Sequence, residues 1–374
     1  MKKLTALLLA GAMMLSLAAC GGGNNGGGGN AGGSNPSGGG AASGTGGGGS
    51  TGADYSSLPS VTLTGGDATS EGAAGQLFGQ RVAELVGEIT GGQMTLDYFP
   101  NSQLGGDEDL MRQVGSGDID IIVCQTAQTV NFIPEMAVFD LPMVFAPYSG
   151  DTINKVLNGA DSAFKTELNG FYEQNGYHLL GFLQNATYRL TTSSKPLNTL
   201  ADFKGLNIRT MSNANHMAFW TAIGANPTPV PWADTFFAAQ TGAIDAQENA
   251  ADTIVGANLH TVQKYLACTN HILYANQICI NLNNWNALDP LDQAALEQAV
   301  TQALSEISPM LKNVDEENKD ICINDGPMEL IEYDNSFFEE VLALDGVQAL
   351  YKDINDNQVN GLGDTLVAAL EAAG

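Results

Sequence analysis

The chain has 374 residues, of which 41 are Asp or Glu and 14 are Lys or Arg, so its formal net charge is −27. This balance excludes a protein whose main partner is nucleic acid, because phosphate backbones are bound by clustered positive charge. The stretch from about Asp54 to Gly374 is long enough for two domains.

The first 20 residues have the pattern of a lipoprotein signal peptide. Two lysines precede an apolar run over residues 4–17, and the run ends in Leu17-Ala18-Ala19-Cys20. A retained membrane helix is the alternative, but the run is shorter than the roughly 20 residues that a spanning helix needs. The pattern therefore predicts that Cys20 becomes the lipid-bearing N-terminus and anchors the protein to the cell membrane.

Residues 21–53 have the composition of a flexible linker. Eighteen of residues 21–52 are glycine and none is charged. Chains rich in Gly, Ser and Asn behave as flexible coils. We therefore expect this segment to let the folded body move above the membrane.

The segment 54–186 predicts an α/β domain. Strands are expected over 61–64, 94–99, 119–124 and 177–183. Helices are expected over 77–89 and 107–114, and twice within 149–175. The alternation of strands and helices, together with the continuous apolar run at 119–124, favours a doubly wound sheet with buried parallel strands.

A second domain is predicted to begin near Ala186. Its expected elements are a strand over 187–192, a strand ending at 209, a helix ending at 223, a loop with three prolines over 226–232 and a strand over 330–333. The chain is expected to return to the first domain over 275–282. One helix of about 45 Å, from residue 288 to about 318, is expected to span both domains.

A series of short motifs runs through this part of the chain. They are Lys195-Pro196-Leu197, Asp202-Phe203-Lys204-Gly205, Arg209, Gly224-Ala225-Asn226-Pro227-Thr228-Pro229, Gln240-Thr241-Gly242 and Gln247-Glu248-Asn249, with Phe99-Pro100-Asn101-Ser102-Gln103-Leu104-Gly105 and Leu141-Pro142 upstream. In this order and spacing, the chain from about Leu58 onward resembles the substrate-binding proteins of tripartite ATP-independent periplasmic (TRAP) transporters, of the dicarboxylate-binding type. Two positions depart from the family pattern, since Ala239 stands where Leu is usual and Ala246 where Gly is usual.

The resemblance implies a two-lobed, periplasmic-binding-protein-like α/β fold. Each lobe would be a β-sheet flanked by helices, with crossover strands and a long helix that spans both. Lobe I would comprise residues 54–186 plus about 275–314. Lobe II would comprise residues 187–274 plus about 315–374.

Two arginines are candidates for binding the ligand. The planar guanidinium matches a carboxylate through two parallel hydrogen bonds, and in the family the arginine at the place of Arg209 holds the ligand's carboxylate. An internal ion pair with an aspartate is the alternative for Arg209. Arg189 either contacts the ligand or positions the neighbours of Arg209.

Five further residues follow predicted strands or lie in the proline-rich loop, where ligands of α/β sheets bind. Asn249 offers a donor and an acceptor, or else caps the next helix. The resemblance implies that Trp232 forms a wall of the binding cleft, with a core position as the alternative. Gln125 offers a neutral amide that tolerates an anion. Gly66 and Asp67 follow the first strand.

Metal binding and catalysis lack a matching pattern in the sequence, so no metal, no cofactor and no enzyme activity are expected. The four histidines are scattered. Asp353 begins a run like a calcium loop with Asp364 at its twelfth position, but Gln358 replaces the required glycine. Glu248 is a carboxylate without an evident partner, and in the family it is structural.

Four cysteines remain in the folded part of the chain, namely Cys124, Cys268, Cys279 and Cys322. An exported protein can form disulfide bonds, so disulfides between these cysteines are the alternative to free thiols. Free, buried thiols are expected, because a domain of this size does not need covalent cross-links.

The function implied by the resemblance is that of an extracytoplasmic, lipid-anchored solute receptor. It would bind a small organic acid between its lobes as a monomer and deliver it to the TRAP membrane subunits. A receptor for a sensor kinase and an exported enzyme on the same scaffold are the alternatives.

Overall fold

The computed structural model describes residues 54–374, so the predicted signal peptide, Cys20 and the glycine-rich linker lie outside the described residues. The strands are β1 (Val61–Gly66), β2 (Met94–Phe99), β3 (Ile121–Gln125), β4 (Tyr177–Leu183), β5 (Leu190–Ser193), β6 (Asn207–Thr210), β7 (Asn226–Pro229), β8 (Ala246–Asn249), β9 (Tyr265–Ala267), β10 (Asn276–Asn281) and β11 (Glu329–Ile331). The helices are α1 (Ala74–Thr90), α2 (Asp107–Ser116), α3 (Thr126–Thr129), α4 (Gly150–Asn158), α5 (Ala163–Gln174), α6 (Ala214–Ala222), α7 (Trp232–Thr241), α8 (Ala251–Gly256), α9 (Leu282–Ala287), α10 (Pro290–Ile307), α11 (Leu311–Asn324), α12 (Asn335–Leu342), α13 (Asp345–Asp353) and α14 (Leu362–Ala373).

The first lobe is built on a five-stranded sheet in the order β2-β1-β3-β10-β4. Strands β1, β2 and β3 are parallel, as the alternation of strands and helices predicts. The predicted return of the chain is β10, which lies between β3 and β4 and is antiparallel to both. The sheet is therefore mixed rather than wholly parallel, because the returning strand enters it from the second lobe.

The second lobe is built on a six-stranded sheet in the order β11-β9-β5-β8-β6-β7. The prediction of a loop over 226–232 is wrong, because residues 226–229 form the edge strand β7 beside β6. The amide of Asn226 donates to Leu206 at 2.8 Å and that of Val230 to Thr210 at 3.2 Å. Pro227 and Pro229 alternate with these donors, so their missing N–H groups fall on the open edge of the sheet.

The predicted single long helix is interrupted. Helix α10 packs on α1 and β4 of the first lobe, α11 packs on α8 of the second, and a 3₁₀ turn at Ser308–Met310 separates them. Pro309 lies in this turn, and its lack of an N–H removes one α-helical hydrogen bond. The helical run still crosses from one lobe to the other, which is the part of the prediction that the structure confirms.

The two-lobed α/β fold predicted from the sequence is confirmed. Helix α13 packs against α6 of the second lobe and helix α14 packs against α4 and α5 of the first, so the end of the chain also contacts both halves. The exact lobe boundaries stay a prediction. Within residues 54–374, no helix has the length and apolar character needed to cross a membrane.

The four cysteines of the described residues are free thiols, as expected. Cys124, Cys279 and Cys322 are buried. Burial raises the pKa of the Cys279 and Cys322 thiols to about 12, so both are neutral at physiological pH.

Candidate binding site

A cavity of about 440 Å³ lies between the two lobes. Its lining consists of Gly106–Asp109 and Gln128 from the first lobe and Arg209, Met211, Ser212 and Pro229–Trp232 from the second. The first-lobe wall is the beginning of α2, and the second-lobe wall is the carboxyl end of β6 and β7. The location agrees with the general rule that ligands of open α/β sheets bind beyond the carboxyl ends of strands.

Arg209 is positioned by β6, which lies between β7 and β8 and buries the side chain to 2 % exposure. Its Nε donates to the Val230 carbonyl at 2.8 Å. In the described part of the chain, no carboxylate lies within 4 Å of the guanidinium and its two terminal nitrogens have no hydrogen-bond partner. The internal ion pair considered for Arg209 is therefore not formed, and the terminal nitrogens are left for a ligand in the cavity.

Burial lowers the pKa of Arg209 to about 10, with the charge of Glu248 opposing the shift and that of Arg189 adding to it. The group is therefore cationic at physiological pH but poorly solvated. A buried cation without a matching anion is costly, and an anionic ligand removes that cost.

Trp232 forms part of the cavity wall, at the position where we expect it to meet a ligand. It is the first residue of α7 rather than a loop residue, and its side chain is half-buried. The guanidinium carbon of Arg209 lies 5.3 Å from the centre of the indole ring. This cation–π contact holds the guanidinium plane beside the cavity.

Arg189 has the opposite surroundings. It immediately precedes β5, is 1 % exposed, and forms an ion pair through Nε with Glu248 on β8. Its Nη2 donates to the Glu248 carbonyl at 3.2 Å, and its Nη1 donates to Gln125 Oε1 at 2.7 Å, a bond between the two lobes. The protein thus occupies most of the donors of Arg189, which favours the positioning role.

Asn249 and Gln125 are both hydrogen-bonded to Arg189. Asn249 ends β8 and its Oδ1 accepts from Arg189 Nη2 at 3.4 Å. The alternative role of Asn249 as a helix cap is wrong, because α8 begins two residues later, at Ala251, and Ala250 occupies the cap position.

Glu248 is the centre of a buried charge network that the sequence analysis missed. His216 Nδ1 lies 3.5 Å and His271 Nε2 lies 3.4 Å from its carboxylate. His216 Nε2 lies 3.2 Å from Asp140 of the first lobe, so the network joins the lobes. The residues are far apart in sequence and no spacing pattern marks them.

The charges within this network are fixed by mutual contact. Burial alone would raise the pKa of Glu248, but the Arg189 charge and the adjacent imidazoles of His216 and His271 hold it well below its usual range. Burial alone would lower the pKa of His216, but Asp140 and Glu248 raise it to about 9. Burial lowers the pKa of His271. Arg189 and His216 therefore carry the positive charges that balance Glu248 and Asp140.

Gly66 and Asp67 lie at the end of β1, outside the lining of the cavity. Asp67 is fully buried, and its carboxylate accepts from the Thr69 amide at 2.8 Å and from the Tyr98 hydroxyl at 2.7 Å. A Cβ atom at Gly66 would stand 2.4 Å from the Phe99 carbonyl, so glycine is required there for strand pairing. Their assignment as ligand contacts stays a prediction.

The sequence does not predict the first-lobe wall of the cavity, which includes Asp107 and Gln128. Asp107 Oδ1 and Gln128 Oε1 are buried without a hydrogen-bond partner. Burial raises the pKa of Asp107 to about 7, with further contributions from the charges of Asp67 and Glu108. The sequence marks Asp107 as the start of a helix after two glycines, but no pattern indicates that the helix start faces Arg209 across a cavity.

The segment that resembles a calcium loop is helical. Residues 354–358 form a π-helical turn, in which Asn357 donates to Asp353 at 2.8 Å and Asn355 to Asp364 at 3.2 Å. Within residues 54–374, no group of three or more acidic, histidine or cysteine side chains is arranged to hold a metal ion.

Two α/β lobes that enclose a cavity with a buried, unpaired cation define the class of two-lobed solute-binding proteins. Residues 67–362 match the family model of bacterial extracellular solute-binding proteins, family 7 (DctP). The chain belongs to this family. It is an extracytoplasmic solute receptor of the TRAP type and not an enzyme.

Individual relatives agree with this assignment. The chain is 31 % identical to the 2,3-diketo-L-gulonate-binding periplasmic protein YiaO of Escherichia coli, over 66 % of this chain and 74 % of that protein. It is 28 % identical to the sialic acid-binding periplasmic protein SiaP of Vibrio cholerae, over 84 % and 93 %. A TRAP solute-binding protein from Polaromonas sp. JS666 bound to D-erythronate matches with a TM-score of 0.73 and 25 % identity, over 83 % and 98 %.

Proposed function

We propose that this chain is the lipid-anchored receptor of a TRAP transporter and that Arg209 binds the carboxylate of its ligand. The observation that carries the proposal is the free guanidinium fork of Arg209, which is 2 % exposed and opens onto the interlobe cavity. A buried fork without a protein partner is completed by a planar anion, and a carboxylate matches it with two charge-assisted hydrogen bonds.

Binding and closure follow from the placement of the cavity. Arg209 and Trp232 belong to the second lobe, whereas Asp107 and Gln128 belong to the first. A ligand that contacts both walls stabilises the closed arrangement more than the open one and so shifts the equilibrium towards closure. The closed form is the one that the membrane subunits of the transporter would recognise.

The Arg189 network has a supporting role in this proposal. The bond from Arg189 to Gln125 and the contact of His216 with Asp140 both cross between the lobes. These contacts align the lobes around the cavity. The charge of Arg189 is paired with Glu248, so Arg209 supplies the positive charge on the second-lobe side of the cavity.

The ligands named for the relatives support an organic acid. Sialic acid, 2,3-diketo-L-gulonate and D-erythronate all carry a carboxylate. We infer that this chain binds a small acid of comparable size, as a monomer, on the outer side of the cytoplasmic membrane.

A thermal-shift screen of purified protein against organic acids tests the proposed function. An acid at a hundredfold excess over its dissociation constant stabilises the folded state by about 2.7 kcal/mol. Neutral amides of the same acids are the matched controls, because they keep the shape and lose the charge. Equal shifts with acid and amide would contradict a carboxylate site.

The anchor is tested separately in cells. Cys20→Ala removes the thiol to which the lipid would attach, so we expect the variant to leave the membrane fraction. Cys268→Ala, which removes a thiol of the folded body, is the control and should fractionate as the unaltered protein does. Retention of Cys20→Ala in the detergent-soluble membrane fraction would contradict the anchor.

A further inference from the structure

We infer that Asp67 and Tyr98 position the first-lobe wall of the cavity without forming part of it. The wall is the beginning of α2, and the pair acts through the turn that precedes this helix. The inference rests on the proposed function, because it concerns how the wall meets a ligand. It gives a role to a buried carboxylate that the Arg209 site does not use.

The Asp67 side chain is fully buried at the end of β1, and both of its oxygens accept hydrogen bonds. Oδ1 accepts from the amide and the hydroxyl of Thr69, at 2.8 and 2.6 Å, and Oδ2 accepts from the Tyr98 hydroxyl at 2.7 Å. Burial raises the pKa of Asp67, and these three bonds together with the nearby Asn101 amide oppose that rise. The donors offset the cost of burying the group and hold it in one orientation.

The Tyr98 hydroxyl has a fixed place between β1 and α1. Tyr98 lies on β2, opposite Gly65 of β1, and its ring lies against α1 at Gly79. A Cβ atom at position 79 would stand 2.0 Å from the hydroxyl oxygen, so a side chain there would displace it. The bond from Tyr98 to Asp67 therefore ties β1, β2 and α1 together.

The chain between β2 and α2 makes a strained turn over residues 100–106. Asn101 and Ser102 both have a φ of 58°, in the left-handed region that side chains other than glycine adopt at a steric cost. Two such residues in succession persist only where the surrounding structure imposes their conformation. The turn therefore depends on its contacts with the rest of the lobe.

Those contacts come from Asp67 and its neighbour. The Ser102 amide donates to the Asp67 carbonyl at 3.0 Å, and the Ser102 hydroxyl donates to the Ala68 carbonyl at 3.3 Å. The Asn101 amide also lies near the Asp67 carboxylate. The backbone and the side chain of Asp67 thus both hold the turn, and Tyr98 fixes the side chain.

The turn sets the position of α2. Gly106 precedes the helix and lines the cavity, and it offers no side chain to cap the helix. Gln113 of α2 donates to the Leu104 carbonyl at 2.9 Å, which joins the helix to the turn. A shift of the turn would therefore move the wall, Gly106–Asp109, relative to Arg209. Binding groups need to be held within about 0.5 Å of their productive geometry, so such a shift weakens binding.

Hydrogen–deuterium exchange of the ligand-free protein tests the positioning. Tyr98→Phe removes the hydroxyl and keeps the ring. We expect peptides that cover residues 101–110 to exchange about tenfold faster, which matches the loss of one hydrogen bond to a charged group. Tyr172→Phe is the matched control, because Tyr172 is buried on α5 of the same lobe and its hydroxyl donates to Met136 Sδ at 3.3 Å. Its variant should keep the wild-type exchange over residues 101–110.

Two further variants test the route through the turn. Glycine adopts a positive φ without the cost that serine has, so Ser102→Gly added to Tyr98→Phe should restore slow exchange in part. Absence of any recovery would overturn the action through the turn. Asp67→Asn keeps the shape of the side chain and loses one acceptor oxygen. It should loosen the same peptides, and it serves as the test variant where Tyr98→Phe folds poorly.

Calorimetric titration measures the consequence for binding. The probes are D-erythronate, β-D-galacturonate, 2,3-diketo-L-gulonate, sialic acid and succinate. The affinity for the acid that the wild type binds most tightly should fall about tenfold in Tyr98→Phe, stay unchanged in Tyr172→Phe and recover in part with Ser102→Gly. All titrations are made below the melting temperature of each variant, because a purely structural role lowers that temperature and leaves the affinity of the folded protein unchanged.

The outcomes separate this inference from the proposed function. Unchanged exchange over residues 101–110 in Tyr98→Phe overturns the inference, and so does an equal rise throughout the sheet of the first lobe. Faster local exchange with unchanged affinity also overturns it, because the turn and the wall would then be independent. Each of these results leaves the carboxylate site at Arg209 in place. Failure of the wild type to bind any of the five acids overturns the proposed function, and this inference with it.

Discussion

Arg189 and Arg209 lie twenty residues apart and are both almost fully buried, at 1 % and 2 % exposure, yet their surroundings are opposite. Arg189 is ion-paired with Glu248 and donates to Gln125 and Asn249. Among the residues that the structure describes, Arg209 donates only through Nε, to a backbone carbonyl, and its side chain lines the cavity. Burial of an arginine therefore does not identify a ligand site, whereas unmet hydrogen-bonding capacity does.

The comparison also separates stability from binding. A buried arginine with a carboxylate partner is part of the folded structure, and its removal leaves the partner charged and unpaired. A buried arginine without such a partner contributes little to folding and much to binding. Variants at the two positions should therefore change different observables.

The largest expected effect is on folding. Arg189→Met keeps the bulk of the side chain but leaves Glu248 without its ion pair, so we expect the free energy of unfolding to fall by about 3–5 kcal/mol. Urea denaturation of the ligand-free protein measures it. Arg81→Met is the control, because Arg81 forms ion pairs at the surface, and such pairs contribute about 0–1 kcal/mol. Similar small losses in both variants would contradict the structural role of Arg189.

The next effect is on ligand affinity. Arg209→Ala should weaken binding of the acid found by screening by about 2–5 kcal/mol, because the buried carboxylate loses its partner. Arg209→Lys should fall between alanine and wild type, since lysine keeps the charge and loses the planar fork. Calorimetry measures affinity, and ligand-free melting curves measure stability. Near-wild-type affinity in Arg209→Ala would remove Arg209 from the site, and a large loss of ligand-free stability would give it the role of Arg189.

The sequence predicts the surroundings of Arg209 better than it predicts the surroundings of Arg189. Arg209, Trp232 and the strands around them lie within one short stretch of chain, where strand patterns and local motifs suffice. The partners of Arg189 come from residues 59 to 64 positions away, and His216 meets Asp140 across 76 positions. Such contacts depend on how the two sheets pack together, which local patterns do not encode.

The errors in the fold have a similar cause. Residues 226–229 look like a loop because two of the four are prolines, and only their place at the edge of the sheet makes a strand possible. The apolar spacing up to Ile307 predicts a long helix that continues to about residue 318, but the 3₁₀ turn at Ser308–Met310, which contains Pro309, interrupts it. In the cavity, no local pattern indicates that the start of α2 lies opposite the carboxyl end of β6.

A smaller effect concerns the pH dependence of stability. The pKa of His216 is about 9 in the folded protein, above its ordinary value of about 6.5, so it stabilises the fold below about pH 6.5. That contribution is lost as the pH rises through 9. His216→Gln should therefore remove about 1–3 kcal/mol of the wild-type decrease in unfolding free energy between pH 6.5 and 9.5.

Urea denaturation across this pH range checks the expectation for His216. His178→Gln is the control, because burial lowers the pKa of His178 and the residue is neutral throughout the range. The groups that face His216 are Asp140, Glu248 and His271. The pKa of Glu248 is held well below its usual range by Arg189 and the neighbouring imidazoles despite burial, and burial lowers the pKa of His271, so neither group takes up a proton as the pH rises from 6.5 to 9.5. Parallel pH profiles for wild type and His216→Gln would contradict a charged His216 in the network.

The smallest expected effect separates the aromatic wall from the cation that it supports. Trp232 lies 5.3 Å from the Arg209 guanidinium, and a cation–π contact of this kind contributes about 0.5–2 kcal/mol. Trp232→Leu should therefore weaken binding by about that amount, while Trp232→Phe should retain part of it because phenylalanine keeps a smaller aromatic face. Phe237→Leu is the matched control, since Phe237 lies on the same helix, is 66 % exposed and does not line the cavity. Calorimetric titration with the same acid measures all three variants.

Equal affinities for wild type, Trp232→Phe and Trp232→Leu would show that Trp232 only covers the cavity. A loss in Trp232→Leu as large as that in Arg209→Ala would instead mean that the indole fixes the guanidinium in its binding orientation, because without that contact the fork is no longer aimed at the carboxylate.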